Sequence, residues 1–235
     1  MSAAGRGLES TAAGFVLAGG RSSRMGQDKA LLVFAGRPLV ENALLILRET
    51  GLSAVIAGVP ANRSTSTGRF AGVGPSLASF APIVEDLDAG RGPLGGITTA
   101  LASTSAQHAV FLPVDLPLLP APLLAFLLHH ARMTGRAVTL PAVNGCVQTF
   151  PAVLKRSALP VLKAELDAGR SGCFAAFQTA AFSLGEPMSV IAAELLVQAC
   201  QVSHPDGVPV SRWFLNVNTP PDLRRASMSR KASIA

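Results

Sequence analysis

Apolar residues fall along this chain in short unbroken runs rather than in strict alternation. "GFVLAG" (14–19), "SAVIAGV" (53–59), "APIVED" (81–86) and "HAVFLPVD" (108–115) each read as a strand, and segments of helical pattern lie between them. Continuous apolar strands separated by helices predict a parallel sheet covered on both faces, because such strands must be buried on both sides. The intervening helices carry their own punctuation. Residues 38–50 open on Pro38 and stop before Gly51, 92–104 open on Gly92-Pro93, and 120–135 open on Pro120. Proline suits the first helical turn, where its missing N–H leaves no bond unmade. Residues 30–38 hold a further short strand closed by a Gly-Arg-Pro turn.

The second half is less regular. "RAVTLPAV" (136–143) and "QTFPAVL" (148–154) read as strands added antiparallel to the sheet. Residues 156–169 and 171–180 read as helical, with Pro160 interrupting the first. "RWFLNVN" (212–218) reads as a late strand, and 219–227 as a helix capped by Thr219 with Pro220 at its first position. Residues 61–80, rich in Ser, Thr and Gly, read as a mobile loop. The expected fold is a single-domain, three-layer α/β/α Rossmann-like open sheet, mostly parallel with some antiparallel additions in the second half. The domain spans 14–226, between a flexible N-terminal segment (1–13) and a basic C-terminal tail (227–235).

Composition narrows the class. The 235 residues are 49% hydrophobic and 14% charged, enough for a sizeable core and incompatible with wholesale disorder. The long uncharged run 92–114 contains two prolines, a glutamine and a histidine, which does not suit a membrane span. The N-terminal residues lack an apolar signal core, so a cytoplasmic protein with no membrane partner is expected. Cys146, Cys173 and Cys200 lie far apart with no CxxC pair, a pattern of reduced core thiols. Much of the net charge of +6 sits in the last dozen residues, at Arg224, Arg225, Arg230 and Lys231. With one Trp and no Tyr the chain lacks stacking platforms, so no nucleic-acid partner is expected.

The chemistry concentrates at strand ends, where open α/β sheets bind ligands. Leu17-Ala18-Gly19-Gly20 follows the first strand, Glu85-Asp86 the third, Asp115 the fourth, and Asn218 the late one. Between Gly19 and Ala30 lie about ten residues rich in glycine, serine and cations, long for a plain turn. Adjacent glycines let backbone N–H groups converge on phosphate oxygens. Ser22 and Ser23 add hydroxyls, Arg24 a bidentate fork and Lys29 a mobile point charge. Gly26-Gln27-Asp28-Lys29 departs from the P-loop pattern, and Gly19-Gly20 from the G-x-G-x-x-G dinucleotide fingerprint.

"LAGGRSSRMGQDKALL" resembles the L-A-G-G-x-S-x-R-M-G-x-D-K signature of the nucleotidyltransferases that complete molybdenum cofactor, most nearly their guanylyltransferase branch. "VEDLDAGRGPLGGITTAL", "FLPVDLPLLP" and "FLNVNTPPDL" are similar to later motifs of that family, in matching order across 14–226. The resemblance implies that Leu17, Ala18, Gly19 and Gly20 hold the nucleotide's base and phosphates. It implies that Lys29 neutralises the triphosphate, Arg24 stabilises departing pyrophosphate, and Asp86 lies in the nucleotide site. Asp115 matches a Mg²⁺ ligand, with a helix N-cap as its other reading. Asn218 stands where related sugar-nucleotide transferases place a second metal ligand, with a turn or cap residue ahead of Thr219-Pro220 as the rival reading. Gly92, Pro93 and Gly95 form a turn that reads either as a helix N-terminus brought toward an acceptor phosphate or as close helix–sheet packing. Gln148 stands in the segment similar to the family's acceptor side. Where the family often has Asn after the second core strand, this chain has Ala57-Gly58.

The implied reaction is attack by the terminal phosphate of molybdopterin on the α-phosphorus of GTP, with pyrophosphate leaving and Mg²⁺ as cofactor. Molybdoenzyme apoproteins or chaperones are the implied recipients of the product. The cytidylyl branch typically reads L-A-A-G where this chain has Leu17-Ala18-Gly19-Gly20, and a third-position glycine is read as leaving room for the larger purine. The competing readings are cytidylyl or other nucleotidyl transfer, and a non-catalytic nucleotide- or molybdopterin-binding carrier.

Overall fold

The computed structural model describes residues 12–19, 28–60, 76–86 and 90–234. β1 (Ala12–Leu17) lies inside an eight-stranded sheet, paired parallel to β6 (His108–Pro113) on one side and β4 (Ala54–Pro60) on the other. β5 (Ile83–Asp86) extends the sheet beyond β4, again parallel. Beyond β6 come β9 (Ala152–Lys155), β7 (Val138–Val143) and β10 (Ser189–Ala192), with β8 (Cys146–Val147) beside β7. β2 (Val33–Phe34) and β3 (Arg37–Pro38) form a separate small hairpin.

The apolar runs are continuous because successive residues enter two different cores. On one face Val16, Ile56, Val110 and Leu112 pack with Leu44 and Leu47 of α1 (Leu39–Glu49) and Leu124 and Leu127 of α3 (Ala121–Thr134). On the other, Phe15, Leu17 and Phe111 meet Leu94, Ile97 and Leu101 of α2 (Gly92–Ala102), Leu162 of α4 (Leu159–Asp167) and Phe177 of α5 (Cys173–Ser183). The Phe15 and Phe111 rings stack across adjacent strands, with centroids 5.4 Å apart. Each such buried side chain contributes about 1.5–3 kcal/mol. The three-layer, mostly parallel architecture expected from the sequence is therefore present.

Several local expectations are corrected. β7 runs parallel to the main strands, so within the eight-stranded sheet only β9 and the short β8 are antiparallel among the described residues. Pro160 does not interrupt a helix. A 3₁₀ turn (Arg156–Ala158) precedes α4 and puts Pro160 in its first turn, where no N–H is needed. Residues 212–218 form no strand. A 3₁₀ turn (Val210–Arg212) leads into a bend, with Leu215 N–H bonded to Arg212 O at 3.1 Å. The apolar character of this stretch comes from Trp213 and Val217, buried one at a time, with the Trp213 indole N–H on Val208 O at 2.7 Å.

α6 (Ala193–Gln198) follows β10, and α7 (Pro220–Ile234) runs through the basic end of the chain, where Arg230 pairs with Asp206 at 2.8 Å. All three cysteines are free, but Cys146 and Cys200 are exposed, so only Cys173 is a core thiol. Burial pushes Cys173 up to about 11, which keeps it protonated and inert. Most of the 61–80 loop lies outside the described residues. At its end a 3₁₀ turn (Leu77–Ser79) buries Leu77. No described helix is long and apolar enough to cross a membrane.

His108 starts β6, at the end of the strand away from Asp115. It is 3% exposed, and neither ring nitrogen has a hydrogen-bond partner among the described residues. Burial, then the positive charges of Arg132 and Lys155, hold its pKa below the ordinary value. Lys155 is itself paired with Glu186 at 3.1 Å. A histidine with a depressed folded pKa gives full stability above the unfolded value of about 6.5, and stability declines as pH falls below it. Each such group contributes a slope of up to about 1.4 kcal/mol per pH unit. His204 is lowered mainly by burial too, so both add to the acid sensitivity. Urea midpoints measured between pH 7.5 and 5 are expected to fall less steeply for His108→Leu than for the wild type. Identical slopes would discard this account.

Candidate active site

The carboxyl ends of β1, β4, β5 and β6 lie side by side, and the predicted residues emerge there. β1 and β6 stay in register to Leu17 opposite Pro113, so Gly19 and Asp115 each stand two residues past the last pair. Val114 N–H bonds Leu17 O at 3.2 Å, and Ala18 N–H bonds Ala57 O at 3.1 Å, which carries the ladder to the lip of the site. Leu17 and Ala18 are buried, and Gly19 is exposed.

Three predicted residues converge on one point. Lys29 Nζ donates to Asp115 Oδ2 at 2.8 Å and to Asn218 Oδ1 at 2.5 Å. Each is positioned independently. Lys29 begins a 3₁₀ turn (Lys29–Leu31) whose N-terminus is capped by Asp28, which accepts from Ala30 N–H at 3.1 Å. Asp115 lies just past β6, and its carbonyl accepts from Val217 N–H at 2.9 Å. That single bond brings the irregular 213–218 segment to the strand end, so Asn218 reaches the site without the strand expected there.

Asn218 is set further by Asp222, which sequence reasoning missed. Asp222 Oδ2 accepts from Asn218 N–H at 3.1 Å and from Thr219 O–H at 2.7 Å, while Asp222 N–H donates to Thr219 Oγ1 at 3.3 Å. This is a capping box at the start of α7, and its T-x-x-D spacing in Thr219-Pro220-Pro221-Asp222 was the available signal. The Thr219 hydroxyl first, then the Asn218 N–H, hold the Asp222 carboxyl below its ordinary pKa.

Asp86 ends β5 and is 5% exposed. β5 lies three strand spacings from β6, about 14 Å, so Asp86 and Asp115 flank the site rather than share it. The Asp86 carboxylate lies against the first turn of α2: a Cβ on Gly95 would stand 3.2 Å from Asp86 Oδ2. Gly92 and Pro93 open the same helix, whose preceding Arg91 pairs with Asp167 at 3.1 Å. Gln148 follows the β7–β8 hairpin, its N–H donating to Pro141 O at 2.9 Å and its side-chain amide to Cys146 O at 3.1 Å. Gly20, Ser22, Ser23 and Arg24 lie outside the described residues.

Between the two carboxylates the crest is bare backbone. A Cβ on Gly19 would fall 1.9 Å from Gly58 O, and one on Gly96 would fall 2.6 Å from Gly58 Cα. Gly58 itself has φ +75° at a register shift between Ala57 and Val59. The position where the family often has Asn is thus a bulge wedged between β1 and α2. The methyl group of an alanine at residue 19 would meet this carbonyl, which gives Gly19 a reason within the fold separate from the size of a base.

A MobA-like NTP transferase domain model matches residues 14–182. The molybdenum cofactor guanylyltransferase of Xanthomonas euvesicatoria pv. vesicatoria is 41% identical over 159 residues, covering 67% of this chain and 74% of that protein. A probable molybdenum cofactor guanylyltransferase of Haloferax mediterranei is 30% identical over 227 residues, covering 96% and 97%. The molybdopterin-guanine dinucleotide biosynthesis protein A of Archaeoglobus fulgidus has a similar fold, at TM-score 0.71 and 21% identity over 93% of this chain and 98% of that one. The family match and these relatives make the chain a nucleotidyltransferase, and the fold agrees. The chain belongs to the MobA-like NTP transferase family.

Gly96→Ala must displace backbone rather than a flexible side chain, so a loss of about 1–3 kcal/mol is expected. A urea midpoint unchanged from the wild type would show that the Gly58 bulge yields without cost.

Proposed function

We propose that this protein transfers GMP from GTP to the terminal phosphate of molybdopterin, releasing pyrophosphate and leaving the guanine dinucleotide form of the cofactor. The observation that carries the chemistry is the meeting of Lys29, Asp115 and Asn218 at one strand end. The guanylyltransferase relatives supply the choice of substrates.

The donor set suits a hard divalent cation: a carboxylate oxygen and an amide oxygen, Asp115 Oδ2 and Asn218 Oδ1, already share one positive group. Among the described residues no three His, Cys, Asp or Glu side chains converge, which fits a metal held by few protein oxygens and completed by phosphate and water. When bound there, Mg²⁺ would supply charge stabilisation to the phosphoryl groups. Lys29 neutralises the phosphates beside it, and the exposed Gly19 backbone lets the nucleotide lie close along β1. Asp86 and the first turn of α2 form the far wall, where a carboxylate can accept from the N–H groups of guanine. The attacking phosphate is already a competent nucleophile, so the residues act by orientation and electrostatics.

The test is pyrophosphate release with Mg²⁺, molybdenum-loaded molybdopterin and GTP, CTP or ATP in turn. Release with GTP is expected. Release with CTP alone would replace the nucleotide assignment, and GTP binding with no release from any nucleotide would favour the carrier reading. Asp115→Ala and Lys29→Ala are each expected to lower turnover by about 10²–10³, equivalent to about 3–4 kcal/mol, with the fold retained by circular dichroism. Near-normal turnover in either folded variant would remove that residue from the mechanism.

A further inference from the structure

The Lys29 ammonium occupies the point at which a metal shared by Asp115 and Asn218 would have to sit. Nζ lies 2.8 Å from Asp115 Oδ2 and 2.5 Å from Asn218 Oδ1, using the same two oxygens that metal ligation requires. A divalent cation such as Mg²⁺ bonds oxygen at about 2.0–2.1 Å. The two positive groups therefore compete for these oxygens, and each would repel the other at that range. Nor is the lysine merely passing through. Its side chain is 19% exposed, Asp115's is 23%, and the backbone beneath it is fixed by the Asp28 cap.

We infer that Lys29 is the resident cation of the nucleotide-free enzyme and keeps divalent metal out until nucleotide arrives. This rests on the proposed reading of Asp115 and Asn218 as metal ligands. Lysine suits the task because its ammonium is a compact charge on a flexible four-carbon stem with three donors. A triphosphate entering along β1 offers Lys29 a more highly charged partner than one carboxylate and one amide. The ammonium then moves onto the phosphates and frees both oxygens in the same event. Metal and nucleotide thus enter together, and metal alone binds poorly. One cation holds Asp115 before nucleotide arrives, and two cations meet the phosphates afterwards.

The inference is read from metal binding without turnover. Mn²⁺ is titrated into nucleotide-free wild type, Lys29→Met, Lys29→Arg and Asp115→Asn, and free Mn²⁺ is followed by electron paramagnetic resonance. Lys29→Met, which keeps the stem and loses the charge, is expected to bind Mn²⁺ at least tenfold more tightly than the wild type. Lys29→Arg keeps a cation and is expected to stay weak. Adding Asp115→Asn to Lys29→Met is expected to abolish the gain. Equal affinity in Lys29→Met and wild type, with Asp115→Asn still weakening binding, would overturn the role of Lys29 and leave the metal-ligand reading standing. A gain in Lys29→Arg as large as in Lys29→Met would also overturn it, since charge would not be the cause. Mn²⁺ binding indifferent to Asp115 in every background would overturn the metal-ligand reading itself.

Discussion

One ammonium group joins three parts of the chain that are remote in sequence: Lys29 reaches Asp115 across 86 residues and Asn218 across 189. No secondary-structure element carries this cluster. The capped turn at 29–31 brings the lysine, the buried strand β6 brings the aspartate, and the box at the head of α7 brings the asparagine. A partly exposed ion pair contributes at most about 1 kcal/mol to folding, so the contact does not hold the protein together. Its significance is positional. Packing in two apolar cores fixes the strands and helices that carry these backbones, so that the three side chains arrive at one point.

The second constraint is a close contact among three glycines near that point. Gly19, Gly58 and Gly96 come from β1, from the bulge in β4 and from α2, and each is packed on the backbone of another. Layers of sheet and helix ordinarily stand about 10 Å apart because side chains separate them. Here α2 closes onto the sheet at its carboxyl edge, leaving the β1 backbone accessible to a ligand. Cβ atoms on these residues would lift α2 or push β1 away from β4, and the flat crest between Asp86 and Asp115 would be lost.

Much of this was legible from residues because both-face burial leaves a strong trace: β1, β4 and β6 are nearly all apolar. The same trace misleads at 212–218, where Trp213 and Val217 are buried by a bend rather than by pairing. Apolarity reports burial; it does not report a hydrogen-bonded neighbour. β10 left little trace, because an edge strand of four half-buried or exposed residues has neither an apolar run nor a clean alternation. In the site, Lys29, Asp115 and Asn218 were found by chemistry and motif. Asp222 was passed over because its part is to hold a backbone N–H, a role visible only as capping-box spacing. Gly58 was noticed for the side chain it lacks, and the physical reason, a bulge pressed between two other glycines, lies in packing that no local pattern records.

The two carboxylates stand about 14 Å apart along the sheet, too far to act on the same atoms. Asp115 belongs with Lys29 and Asn218, and under the proposed reaction charge would develop there as phosphate bonds change, so substitutions there are expected to act on rate. Asp86 lies three strands away against α2, and under the proposed reaction substitutions there are expected to act on choice of nucleotide. Gly19 lies between the two and is constrained by neither directly, since its Cβ direction is closed by the Gly58 carbonyl. An alanine at residue 19 would then disturb the β1–β4 contact before it altered the space for a base. Exchange of nucleotide preference at this position requires the bulge at Gly58 to change with it, so residues 19 and 58 act as one unit.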